Sequence, residues 1–217
     1  MIVAIQLNFI GINNMHDTAQ AYGELFLDIY GRNFTATGNP VTLLEVGAGD
    51  NPEWAVFKPK CDELGIHYKG MDQLHSEDPN VPYTLPAEDN SVDMIICSSV
   101  FEHDEMFWVT FLEMMRILKP NGVVYVNAPS NGVVHGYPVD CWRFYPDSAN
   151  ALTKWARRNH LNTATMENFT SGIWSECGVW LDYVAVWIKD ADHKWFHPSR
   201  ILDVPDVAES ATNARKN

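Results

Sequence analysis

The sequence predicts an α/β protein built on a doubly wound, mostly parallel sheet, and three observations carry that prediction. Short apolar runs alternate with amphipathic helical stretches from residue 41 to residue 127, the pattern of βαβ units with helices on both faces of a parallel sheet. The run Val41 to Val46 stops abruptly at Gly47-Ala48-Gly49, as a buried strand does when it ends in a tight turn against a ligand. Asp72 closes the second apolar run 27 positions after Glu45. An acid there is placed to bond ribose hydroxyls at the switch point of such a sheet.

Each element follows from local pattern. Residues 17 to 30 place Tyr22, Leu25, Phe26 and Ile29 on one helical face, and Gly31 and Asn33 are stop signals. After the strand 41–46 comes a helix from about Pro59 to Leu64, ended by Gly65. A second strand covers Ile66 to Met71. Val81 to Leu85 reads as a short third strand and Val92 to Ser98 as a fourth. Phe107, Phe111, Met114, Met115 and Leu118 share a face of a helix over 104–118, terminated by Lys119-Pro120-Asn121-Gly122. Val123 to Asn127 is a fifth strand. A loop rich in Pro, Gly and aromatics follows to Pro146, then a helix from Asp147 or Ser148 to Arg158. Two further strand-like runs, Asn162 to Glu167 and Tyr183 to Ile188, lack a strong helix between them and are expected to pair antiparallel. The tail beyond about Asp203 is polar and expected to fray.

Composition narrows the partners. Hydrophobic residues make up 46% of the 217, so the chain is globular. Net charge is −13, and Arg157-Arg158 and Arg215-Lys216 are isolated basic pairs, with no basic stripe; nucleic acid is not an expected partner. Cys61, Cys97, Cys141 and Cys177 show no zinc spacing, and reduced thiols point to a cytoplasmic protein. The run Met1 to Ile12 has no basic start or cleavage site and is too short to span a bilayer.

Five segments in order resemble the class I S-adenosylmethionine-dependent methyltransferases of the small-molecule type. They are Leu43-Leu44-Glu45-Val46-Gly47-Ala48-Gly49, Gly70-Met71-Asp72, Leu85-Pro86-Ala87-Glu88-Asp89-Asn90-Ser91-Val92-Asp93, Val100-Phe101-Glu102-His103 and Arg116-Ile117-Leu118-Lys119-Pro120-Asn121-Gly122. The resemblance covers about residues 20 to 190. It implies a Rossmann-like, seven-stranded, mostly parallel sheet with an antiparallel terminal hairpin, and S-adenosyl-L-methionine as methyl donor. Glu45, Gly47, Ala48 and Gly49 would line the methionine part, and Asp72 would hold the ribose with Gln73 beside the adenine. Pro86, Ala87 and Glu88 would flank the adenine edge. Ser98 and Ser99 would lie under the sulfonium, with His103 near the cofactor. Two positions depart from the family pattern: Asn51 stands where a third glycine is common, and Tyr83-Thr84 stand where an acid often precedes the Leu-Pro pair.

The competing cofactor is a nicotinamide dinucleotide. Its fingerprint seats a pyrophosphate with a third glycine, which is missing here, and Asp50 would repel phosphate. A cationic donor without phosphate suits these acids.

The acceptor is read from the loop 128–147. His135 is the candidate general base, Asp140 orients it, and Arg143 holds a polar or acidic substrate. The structural alternative is that Trp142, Phe144 and Tyr145 dock the loop and Asp140–Arg143 is an ion pair. A small polar acceptor is expected, with a hydroxyl of a sugar or glycan precursor the leaning. The alternative from another class is a cofactor-binding protein without turnover that acts through protein interaction. Cys141, Trp174, Trp180 and Trp187 read as packing residues, His16 as a loop residue, and His193 and His197 as surface residues of the tail. No divalent-metal cluster stands out, so metal-independent catalysis is expected. The expected organisation is an N-terminal arm and cap helix over 1–35, a methyltransferase domain over 36–200 with a lid at 128–147, and a polar tail over 201–217.

Overall fold

The computed structural model describes residues 15–49, 54–72 and 83–216. Its centre is a seven-stranded sheet with strand order β2-β1-β3-β4-β6-β5-β7. The strands are β1 (Thr42–Val46), β2 (His67–Met71), β3 (Val92–Ser98), β4 (Leu118–Pro129), β5 (Thr163–Thr170), β6 (Asp182–Lys189) and β7 (Thr212–Lys216). The first four run parallel, and β6, β5 and β7 add on antiparallel. β1 starts the series with β2 on one side and β3 on the other, which is the topological switch point.

Two apolar layers sandwich the sheet. Alternate residues of each strand face opposite sides, so Leu43, Met94, Ile96, Val123 and Tyr125 join one core and Leu44, Val46, Ile95, Cys97, Val124 and Val126 the other. The second core is covered by α4 (Phe107–Ile117) and α5 (Asp147–Arg158), through Phe111, Met114, Met115, Leu152 and Ala156. Asp147 in the first turn of α5 and Arg157-Arg158 in its last complement the helix dipole. On the other face lies a continuous helical segment: α1 (Asp17–Phe26), a wider π turn (Leu27–Gly31) and α2 (Arg32–Thr35). Tyr22, Phe26 and Tyr30 are buried in the core, so the segment expected as a cap is a full layer of the fold. α3 (Lys58–Leu64) ends where Gly65 takes φ +70°.

The third strand expected at Val81 to Leu85 is absent where it can be seen: residues 83–85 are irregular, and 81–82 lie outside the described residues. The seventh strand comes instead from the C-terminal segment. That segment is no frayed tail. Ile201, Leu202 and Val207 are buried, α6 (Pro205–Ser210) packs there, and β7 pairs with β5. The anchor is Glu167, a fully buried carboxylate on β5. It accepts hydrogen bonds from Tyr30 Oη (2.7 Å) and from the Ile201 and Leu202 amides (2.9 Å each). A buried carboxylate is stable only with such partners, so three distant segments converge on it. Period alone does not reveal that demand.

His197 is likewise not on the surface. It is fully buried, with its ring against Tyr30 and Phe34. Nε2–H donates to Asn121 O at 3.2 Å and Nδ1 accepts from Asn33 Nδ2 at 3.3 Å. Burial pushes its pKa down to about 4. The unfolded chain therefore takes up a proton near pH 6.5 that the native state refuses. Stability is full above that pH and falls as pH drops toward 4, by about 3 kcal/mol in total. Urea melts of the wild type and His197→Gln between pH 7 and pH 4 should show that the variant loses this part of the slope. Equal slopes would contradict the buried neutral imidazole.

Candidate functional site

The site forms because four parallel strands end at one level. Val46 pairs with Met71 and Cys97, and Ser98 with Asn127. Gly47 then leaves the sheet at φ +100°, its N–H donating to Met71 O at 2.8 Å. A Cβ on Gly47 would collide with the Val100 side chain. The turn continues through Ala48 to Gly49, which also takes positive φ. Gly70 lets β2 approach, since a Cβ there would lie 2.7 Å from Gly49 O. Ser99 follows β3 at φ +54°, its amide bonded to Asn127 O at 3.0 Å.

These strand ends open into a cavity of about 510 Å3. One part is lined by Glu45, Val46, Gly47, Ala48, Asp72, Ser98, Ser99 and Val100. Glu45 shares the face of Leu43 but stands where the core ends. It is buried, accepts from Tyr68 Oη at 2.5 Å, and burial raises its carboxyl to about 7. A buried acid in a glycine-walled recess suits a cationic ligand.

The other part is lined by Met15, His16, Trp54, Glu102, His103, His135, Gly136, Tyr137 and Trp180. His135 comes from the loop after β4, which folds back across residues 99–106. Cys141 N–H donates to Glu102 O (2.7 Å), Trp142 Nε1–H to Asp104 O (2.9 Å) and Phe144 N–H to Pro129 O (3.0 Å). Phe144 is buried, docking the loop, while Tyr145 and Cys141 are exposed; Cys141 therefore does not pack as expected. Asp140 accepts from the His135 amide at 2.8 Å and holds Arg143 through both oxygens, at 2.5 and 2.8 Å. Arg143 keeps the Asp140 carboxyl well below its usual range.

His103 and His135 meet edge to face, ring centroids 4.8 Å apart. His103 Nδ1–H donates to Val139 O at 2.6 Å, and burial lowers its pKa, favouring the neutral imidazole. Glu102 beside it is almost wholly buried, and burial raises its carboxyl to about 8.

Of the residues expected in the site, the cavity brings together Glu45, Gly47, Ala48, Asp72, Ser98, Ser99, His103 and His135. Asp140 and Arg143 stand behind His135 rather than on the wall. Gly49 supports the turn from outside the lining. Pro86, Ala87 and Glu88 are not among the lining residues; Ala87 O instead accepts from Arg116 at 2.9 Å. Gln73 lies outside the described residues, as do Met1 to Ile12, Asp50 and Asn51. Sequence reading missed several wall residues, among them His16, Trp180, Trp54 and Glu102. His16 stacks on Trp180 at 6.3 Å and sits 3.5 Å from buried Asp182. Trp180 lies 4.6 Å from His135, so it is a wall residue and not only hairpin packing. Trp54 meets Tyr137 at 5.9 Å. Glu102 was visible only as part of a motif. The set Glu102, His103 and His135, with ligand-capable atoms within 4.8 Å of one another, has no spacing signal because its members come from two loops.

Comparison with known proteins agrees with this geometry. Residues 44–126 match the family described as methyltransferase domain. An uncharacterized methyltransferase of Mycobacterium tuberculosis is 31% identical over 128 residues, covering 51% of this chain and 46% of the relative. One from Mycobacterium leprae is 28% identical over 165 residues, covering 66% and 56%. The chain thus spans about half the length of these relatives. The crystal structure of a SAM dependent methyltransferase from Archaeoglobus fulgidus superposes with a TM-score of 0.52 at 13% identity, over 78% of this chain and 94% of that one; that likeness shows the fold. Residues 44–126 are thus similar to a methyltransferase domain, and the sheet shares the fold of that solved methyltransferase. Among the described residues no helix is long and apolar enough to cross a membrane.

The Gly47 turn is the most sensitive point of the site. Gly47→Ala forces a side chain into positive φ and into Val100. It should cost about 1–3 kcal/mol in urea unfolding. An unchanged midpoint would mean that the turn relaxes freely.

Proposed function

We propose that this protein transfers a methyl group from S-adenosylmethionine to a hydroxyl of a small polar acceptor, with a sugar or related metabolite as the acceptor class. One observation carries the reading: a single cavity joins the glycine turn and its acids to a wall of imidazoles and aromatics. The donor supplies an electrophilic methyl group on a sulfonium, and everything else is positioning and charge. Glu45 and the Gly47–Gly49 turn hold the cationic amino-acid end, and Asp72 accepts from the ribose hydroxyls. Ser98 and Ser99 border the place where donor and acceptor meet.

The acceptor half suits a hydroxylated molecule. Trp54, Tyr137 and Trp180 offer apolar faces, and the histidines offer directional polar atoms. His135 activates the acceptor hydroxyl, held in place by Asp140, while Arg143 braces Asp140.

Thermal shift with S-adenosylmethionine, S-adenosylhomocysteine and NAD tests the donor. The first two should stabilise the wild type by about 2.7 kcal/mol at 100 times Kd, and NAD should not. Asp72→Ala should weaken donor binding by about 10–100-fold, since charge-assisted bonds contribute about 1.5–3 kcal/mol each. His135→Ala should keep the shift and lose about 100-fold in turnover on an accepted sugar. A larger shift with NAD would overturn the reading.

Donor binding should also follow the Glu45 carboxyl. Its pKa of about 7 leaves it protonated in acid, and a bound cation favours the ionised form. Affinity is therefore full above pH 7 and falls below it. Calorimetric titrations should give about tenfold weaker binding at pH 6 than at pH 8. Glu45→Gln should remove this dependence, and a flat wild-type profile would separate Glu45 from the cationic end.

A further inference from the structure

We infer that Glu102, His103 and His135 form a binding site for one divalent first-row transition-metal ion at the acceptor end of the cavity. Three observations support it independently of sequence pattern. First, the three side chains offer ligand atoms that all lie within 4.8 Å of one another, and Glu102 Oε1 is 3.7 Å from His103 Nε2. Three ligands each about 2.1 Å from a shared ion and on one side of it lie about 3.0–3.4 Å apart. The Glu102–His103 pair is already near that spacing, and a side-chain rotation of His135 by about one to two ångströms closes the set.

Second, both imidazoles are held from behind. His103 Nδ1–H donates to Val139 O at 2.6 Å. His135 Nδ1 faces Val133 O and Asp140 Oδ2, each at 3.4 Å. The acceptors behind each Nδ1 favour the tautomer with its lone pair on Nε2. Supporting carbonyls and carboxylates behind ligand histidines are what metal sites require. The Arg143 charge nearby is matched by Asp140, which it grips through both carboxylate oxygens.

Third, Glu102 is a wall residue of the cavity and almost wholly buried, yet its Oε2 has no hydrogen-bond partner among the described residues. Burying such an oxygen without a partner costs several kcal/mol at most sites. A cation bound by this carboxylate offsets that cost.

Two imidazoles and one carboxylate select a transition metal over magnesium or calcium, which favour all-oxygen shells. Three protein ligands leave further coordination positions for substrate oxygens, and all three residues line the cavity. This deepens the proposed methyl transfer and rests on it. The acceptor class becomes a molecule with two adjacent oxygens, such as a vicinal diol, able to chelate. His135 then activates the hydroxyl as a ligand and not as the proton acceptor. The hydroxyl proton leaves to water, and the oxygen lone pair forms the new O–C bond. The broken C–S pair stays on sulfur, giving S-adenosylhomocysteine.

The test uses the full chain, stripped with EDTA and dialysed, titrated with Co2+ and in parallel with Mg2+. Calorimetry and visible absorption follow the binding. One Co2+ per chain is expected, with imidazole-type absorption bands and no competition from equimolar Mg2+. His135→Ala and Glu102→Gln should each weaken Co2+ binding by at least about tenfold, and Asp140→Asn by about 10–100-fold. The donor-induced thermal shift of His135→Ala should stay as in the wild type, which shows that the variant is folded. Absence of saturable Co2+ binding would overturn the site, as would wild-type affinity in His135→Ala or preference for Mg2+. A donor shift without Co2+ binding removes the metal and keeps the methyl transfer. Co2+ binding without a donor shift does the reverse.

Discussion

Everything in the site depends on how β1 is made to stop. Gly47 keeps one sheet bond, to Met71 O, and then turns to a φ that leaves no room for a Cβ beside Val100. β1 is flanked by β2 and β3, so a turn there opens the sheet at its switch point. The carboxyl ends of all three strands then face one space, and Glu45, Asp72 and Ser98 reach it from neighbouring strands. Had β1 continued, its backbone would fill the recess. Helices on both faces make the stop tolerable, since two full apolar layers hold the strands whatever happens at their ends.

The acceptor side is held differently. It rests on a loop with few apolar residues inside, fastened by hydrogen bonds to the carbonyls of residues 102, 104 and 129 and by the burial of Phe144. The exposed tip at Val133 and Val134 shows that burial alone does not shape it. Buried polar groups do: Asp140 between Arg143 and the His135 amide, and His16 against Asp182 on the opposite wall. Groups of this kind cost free energy when unpaired, so their partners are tightly specified. The structural reading of the loop and the functional one are therefore not rivals. The ion pair that braces the loop also sets the angle of His135.

The protein spends its buried carboxylates in two ways. Glu167 is satisfied by Tyr30 and two amides and serves as a rivet between the sheet and the C-terminal segment. Glu45 and Glu102 are held near the cavity with less compensation, and burial raises both to about 7 and about 8. Groups poised in that range respond to a nearby cation far more than a surface carboxylate does. The same chemistry thus stabilises the fold in one place and tunes the site in another.

Where periodicity and turn residues act locally, the sequence by itself determined the outcome. The alternation of short apolar runs with helices, the Gly47 to Gly49 stop, Asp72 at the end of β2, Gly65 after α3 and the antiparallel pairing of β5 with β6 are all legible, because backbone sterics and one-sided burial dictate them within a few residues. The tertiary structure alone decided the rest. It turned the polar tail into β7 and a buried Ile201-Leu202 pair, buried His197, and placed Trp54, Trp180 and His16 on one wall. It also joined Glu102 and His103 to His135, 32 positions away from His103. These results turn on which distant groups satisfy one another's hydrogen bonds and charges. Such pairing has no period, so it becomes visible only once the chain has folded.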